Sequence, residues 1–145
     1  PRHCDTRKTY CYSILNTEFG LPKKRNYTWN VPGNIDISKM QEAAEYLVGE
    51  HDLKSFCCVR TQTETTVRKI YSLDVDRKGD EILITVTGNG FLYNMVRIIA
   101  GTLIQVGKGK FNPEYVKEML YAKDRTQAGQ TAPPQGLTLM RIEYL

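Results

Sequence analysis

Apolar residues follow two rhythms along this chain. Residues 8–17, KTYCYSILNT, alternate, with Tyr10, Tyr12 and Ile14 on one side, and predict a strand. VRKIYSLDVDR (67–77) and EILITVTG (81–88) alternate in the same way. They are joined by Lys78-Gly79-Asp80 and predict a hairpin with a glycine turn. LTLMRIEYL (137–145) is a last alternating run. The helical rhythm appears three times. KMQEAAEYLVGEHD (39–52) has an apolar face of Met40, Ala43, Ala44 and Leu47, with Asp36 or Ser38 as its cap and Gly49 as its stop. His51-Asp52 then falls in the following turn, as a turn and capping pair rather than a general base. A second helix opens after Gly88-Asn89-Gly90 and ends at Gly107 and Gly109, and a third, PEYVKEMLYAKD (113–124), has Pro113 at its first position. SFCCVR reads as a short extended piece, while TQTETT, GLPKKRNYTWNVPGN and RTQAGQTAPPQG read as loops. The order strand, helix, hairpin, helix, helix, strand implies an α+β fold, with helices packed on a sheet that is at least partly antiparallel.

The second helix poses a problem. Phe91, Leu92, Met95, Val96, Ile98, Ile99, Leu103 and Val106 cover nearly all of its surface, which marks it as buried, yet Arg97 sits in the middle. On a 3.6-residue period Gly90, Asn94, Arg97 and Gly101 share one stripe. Arginine cannot deprotonate, so when buried it needs a partner. Two readings are open: a structural salt bridge to a carboxylate elsewhere in the fold, or an active-site cation.

Composition narrows the class without naming a function. The chain has 145 residues, 41% hydrophobic and 25% charged, which suits a single globular domain over residues 1–145. The net charge of +4 permits a polyanionic partner and does not require one. Lys23, Lys24 and Arg25 form a short basic run, usually a solvated face and sometimes a phosphate contact. Cys4, Cys11, Cys57 and Cys58 lack C-x-x-C spacing; a zinc site from His3, Cys4 and the later pair is set aside in favour of reduced thiols in a cytosolic protein. Arg97 interrupts the longest apolar run, so no membrane span is expected. The segment VGKGK is not a phosphate-cradling loop, because Lys108 is followed by glycine. The opening PRHCDTRKTY, without Met, reads as a continuation of a longer chain.

KTYCY (8–12), LVGEHDLKSF (47–56), VRKI (67–70), GNGFLYNMVRIIAGTLIQVGKGK (88–110) and DRTQAGQTAPPQGL (124–137) together resemble the TruA family of tRNA pseudouridine synthases. The order and spacing fit across the whole chain, and the longest motif is the most specific. The resemblance implies isomerisation of uridine to pseudouridine in the anticodon arm of tRNA, with no cofactor and no metal. It implies a cytoplasmic homodimer with tRNA lying across both subunits. It implies a catalytic unit of two similar halves around a central sheet, of which this chain looks like the second.

Site roles follow from the same resemblance. Arg97 matches the family arginine that pairs with the catalytic aspartate. Tyr10 matches the tyrosine that stacks on the target uracil, while Tyr12 suits a core role. Asn89, Gly90, Asn94 and Gly101 would shape the helix and its approach to the cleft. Arg2, Lys8, Lys23, Lys24 and Arg25 are candidate RNA contacts. The family's aspartate lies in a GRTD-type motif of the first half, and none occurs here. Asp5, Asp36, Asp52, Asp74, Asp76, Asp80 and Asp124 all lack its context, so this polypeptide is expected to be inactive alone. His3, Cys11 and Leu53 depart from the usual family residues at packing or peripheral positions. The alternative is a non-catalytic RNA-binding module of the same fold, and Arg97 together with Tyr10 argues against it.

Overall fold

The computed structural model describes residues 6–18, 27–58 and 65–144. Arg2, Lys23, Lys24 and Arg25, together with His3 and Cys4, lie outside the described residues. The elements run β1 (Thr6–Leu15), β2 (Trp29–Asn30), α1 (Ile37–Glu45), β3 (Gly49–Asp52), β4 (Val67–Lys78), β5 (Glu81–Gly88), α2 (Met95–Gly107), α3 (Tyr115–Ala122) and β6 (Leu137–Tyr144). Short 3-10 turns occupy Lys54–Phe56, Arg125–Gln127 and Pro134–Gly136.

The strands form one sheet in the order β2-β1-β5-β4-β3, with β6 also paired to β1. Every pairing is antiparallel except the short β1–β2 contact at Ile14 and Leu15. Alternation along β5 sends Ile82, Ile84 and Val86 inward, where they meet Tyr12 and Ile14 of β1 and Leu73 and Val75 of β4. α1 and α2 pack against this inner face. Thr9 and Thr87 lie half-buried on the other face, their hydroxyls 2.9 Å apart. The α+β expectation therefore holds, and among the described residues no helix is long and apolar enough to cross a membrane.

The hairpin forms as its alternation predicts. Its two-residue turn places Gly79 at φ 61°, a left-handed value suited to the first central position of a tight hairpin turn. Other boundaries differ from expectation. α1 closes at Glu45, and Gly49, at φ 111°, opens β3 instead of capping the helix. His51 and Asp52 are consequently strand residues opposite Arg68 and Val67, not members of a turn. The polar character of GEHD hid this strand, and the two-residue β2 was too short to carry a period. Ser55 and Phe56, the first residues of SFCCVR, belong with Lys54 to a 3-10 turn instead of extending.

Of the two capping candidates for α1, the Asp36 carboxylate accepts from the Lys39 N–H at 3.2 Å. Asp36→Ala is expected to lower stability by about 1 kcal/mol. Urea unfolding measures this, and an unchanged midpoint would remove Asp36 from the cap.

Candidate active site

The face of α2 that carries Arg97 and Gly101 meets the segment 129–132, and Arg97, Thr102 and Gln105 hold that segment in place. The Thr102 hydroxyl accepts from the Gly129 N–H at 3.0 Å, and Gln105 Oε1 accepts from the Gln130 N–H at 2.9 Å. The Arg97 carbonyl accepts from the Ala132 N–H at 2.9 Å. From the other side, Arg125 donates to the Gly129 carbonyl and the Thr131 hydroxyl. Gly101 is missing a side chain because the segment lies against it: a Cβ there would sit 2.0 Å from the Gln130 carbonyl oxygen. The gap in the stripe is thus filled by this chain's own backbone.

Gly90 and Asn89 serve differently. α2 begins at Met95, so Gly90 precedes the helix and is not on its stripe. A Cβ at Gly90 would meet only the Arg68 side chain at an ordinary 3.5 Å. Asn89 Oδ1 accepts from the Lys69 N–H at 2.9 Å, and the Asn89 N–H donates to the Lys69 carbonyl at 3.0 Å. The side chain thereby extends the β4–β5 ladder past the end of β5.

Arg97 is half-buried at the first turn of α2. Its Nε donates to the Ala132 carbonyl at 2.8 Å, and one terminal nitrogen donates to Asn94 Oδ1 at 3.0 Å. Both acceptors are neutral. Among the described residues no carboxylate pairs with Arg97; Asp52 pairs with Lys123, and Glu143 with Arg141. The reading as an internal salt bridge therefore finds no partner there. The guanidinium is oriented, but among the described residues no carboxylate neutralises its charge.

That charge borders a pocket of about 320 Å³ lined by Tyr10, Phe91, Leu92, Tyr93, Asn94, Met95, Val96, Arg97, Pro134 and Leu137. Tyr10 reaches it from β1, and its ring meets Phe91 edge-on at 5.0 Å. Two side chains 87 positions apart, Tyr10 and Arg97, are therefore walls of one cavity. Tyr12, two residues along the same strand, is fully buried and donates its hydroxyl to the Pro133 carbonyl. Burial pushes its phenol above the usual tyrosine range, and the nearby Arg97 charge opposes that shift. Tyr12 is a neutral core donor that supports the segment carrying Pro134. Lys8 lies on β1 opposite Gly88 and Ile142 and does not line the pocket. Sequence reasoning missed the contributions of Phe91, Tyr93, Pro134, Leu137 and the Ala132 carbonyl; the motif DRTQAGQTAPPQGL was the only sign that its segment mattered.

The cavity's chemistry is limited and specific. An aromatic edge, an apolar floor and a fixed cation suit a planar ring held beside an anion. Among the described residues no cluster of three or more His, Cys, Asp or Glu is placed to hold a metal ion.

Comparison with known proteins points the same way. A family model described as tRNA pseudouridine synthase matches residues 43–145. The chain is 50% identical over 137 residues to tRNA pseudouridine synthase A of Brevibacillus brevis, covering 94% of this chain and 56% of that protein. It is 47% identical over 143 residues to tRNA pseudouridine synthase A of a Thermoanaerobacter species, covering 99% and 59%. A Bacillus licheniformis relative of the same name is 46% identical over 138 residues, covering 95% and 56%. The chain thus spans somewhat more than half the length of these relatives. The match of the family model over most of the chain shows that it belongs to the tRNA pseudouridine synthase family.

Proposed function

We propose that this chain forms one wall of the active site of an enzyme that isomerises uridine to pseudouridine in the anticodon arm of tRNA. The observation that carries this reading is the Arg97 guanidinium, without a carboxylate partner among the described residues, sharing a pocket with Tyr10. The reaction breaks the bond between the ribose and N1 of uracil, turns the base, and rejoins it through C5, whose proton is released. A carboxylate acting as nucleophile or base starts it. In this reading that carboxylate is an aspartate supplied by a segment outside the chain, and Arg97 keeps it ionised and oriented. Tyr10 stacks on the uracil once it has left its own stack. Gly101 and Asn89 support the wall without touching substrate. Lys8, with Arg2, Lys23, Lys24 and Arg25, contacts the RNA backbone. The reaction is carried by side chains alone and calls for no metal and no cofactor. The 145 residues by themselves are inactive.

The family name of the relatives supports the substrate, and the cytoplasm is where the thiols of Cys11 and Cys58 and a tRNA substrate are both accommodated. The protein acts as a homodimer. The outer edge of β6 fits self-association, with Leu139, Met140, Ile142 and Tyr144 exposed along it. Light scattering on an eluting size-exclusion peak should give a dimer or larger species, and a clean monomer would contradict it.

The functional reading is tested by mapping pseudouridine in an unmodified tRNA transcript treated with the polypeptide extended to the length of its relatives. Carbodiimide-dependent primer-extension stops are expected at uridines of the anticodon arm. No stops anywhere in the tRNA would leave the non-catalytic RNA-binding reading in its place.

A further inference from the structure

We propose that Asn94 is a positioning residue for Arg97, holding its guanidinium in plane through a neutral oxygen. The proposal rests on the functional reading above, which it deepens.

Asn94 stands where a helix cap is expected, immediately before Met95. An asparagine there ordinarily has extended backbone and accepts an N–H of the first turn. Asn94 does neither. It makes no side-chain cap bond, and its backbone is left-handed, with φ 61° and ψ 6°. Asparagine tolerates that region better than most residues, but it remains an unfavoured conformation. Instead, Oδ1 accepts from Arg97 at 3.0 Å and Nδ2 donates to Cys58 Sγ at 3.6 Å. A guanidinium only donates, so the amide oxygen must face it, and the amide nitrogen then faces the sulfur. The Cys58 N–H donates in turn to the Tyr93 carbonyl at 3.0 Å, fixing the cysteine against the same turn.

The geometry has a chemical consequence. Ala132 holds the Nε edge of Arg97, and Asn94 holds a terminal nitrogen. Two contacts on a planar group fix its plane. Because both acceptors are uncharged, the full positive charge stays available to the pocket. An aspartate at position 94 would have nearly the same shape but would neutralise Arg97 from within.

Two variants separate positioning from a backbone role. Asn94→Gly keeps the left-handed turn and removes the amide. Asn94→Asp keeps the shape and adds charge. In the extended polypeptide, both are expected to lower kcat on the order of 10- to 100-fold with KM for tRNA nearly unchanged. Asn94→Asp should also move the acidic limb of the kcat profile to higher pH, because the two carboxylates then share one cation. Full activity of Asn94→Gly would overturn the proposal, since it would mean that only the turn matters. An independent readout uses the 145-residue chain: the terminal guanidinium protons of Arg97 should give resolved NMR signals, and these should merge in Asn94→Gly. Signals that stay resolved in Asn94→Gly would overturn the proposal whether or not the extended polypeptide is active. Absence of activity in the unaltered extended polypeptide would count against the functional reading and leave the NMR result to decide the role of Asn94.

Discussion

Arg97→Ala in the extended polypeptide is expected to lower kcat by about 10²–10³-fold, the usual loss when a fixed electrostatic partner is removed from a closed site. The acidic limb of the pH profile should shift as well. A cation within contact distance lowers a carboxyl pKa by roughly 1–3 units. Such a carboxylate is ionised, and active, above its lowered pKa and loses activity as pH falls through it. Removing Arg97 raises that pKa, so activity should fail at a pH about 1–3 units higher. Arg97→Lys should rescue little. An ammonium cannot donate to the Ala132 carbonyl and Asn94 Oδ1 through a planar fork while presenting further donors to the pocket. The variants should keep a cooperative melt, because the hydrophobic core of α2 is untouched. Unchanged kcat and pH profile in Arg97→Ala would place Arg97 outside the chemistry.

Gly101→Ala is expected to be the most damaging small substitution in stability. Helix propensity alone would favour alanine by about 1 kcal/mol. The new Cβ, however, would stand 2.0 Å from the Gln130 oxygen and 2.8 Å from its carbonyl carbon, and both are backbone. The segment cannot yield freely, because Thr102, Gln105 and Arg97 all bind it. Relief means breaking some of those bonds, so the steric effect wins by about 3 kcal/mol or more. For a domain of this size that lowers Tm by roughly 6–12 °C. Calorimetry decides this, and Gly90→Ala is the control: its Cβ would meet only a flexible side chain at 3.5 Å, so its Tm should barely move. Equal Tm for Gly101→Ala and the unaltered chain would mean the 129–132 segment is not tightly docked.

The contrast between those two glycines shows what the sequence could and could not disclose. Periodicity placed both on one stripe, and only one lies on the helix. Strong alternation in EILITVTG and the apolar density of residues 95–107 made β5 and α2 legible, because burial on one or all faces leaves a period. β2 and β3 left none, being two and four residues long and largely polar. The Asp36 cap was readable from residue type, whereas Gly49 was not: a glycine with positive φ can end a helix or open a strand. At the site, a charge inside an apolar helix announced Arg97. Its actual partners, a backbone carbonyl and an asparagine amide, could not be read, since any residue carries a carbonyl. The pairing of Arg97 with Tyr10 in one pocket depends on the stacking of α2 against β1, which resemblance to a family suggested and no local pattern contains.

The central claim is that the chain supplies a cation and an aromatic wall to a carboxylate that lies outside it. Release of tritium from 5-tritiated uridine in unmodified tRNA tests this most directly, because the C5 proton leaves only if the base is rejoined through that carbon. Release by the extended polypeptide and none by the 145-residue chain is the predicted result. Release by the 145-residue chain alone would contradict it, and one of its own aspartates would then have to do the work.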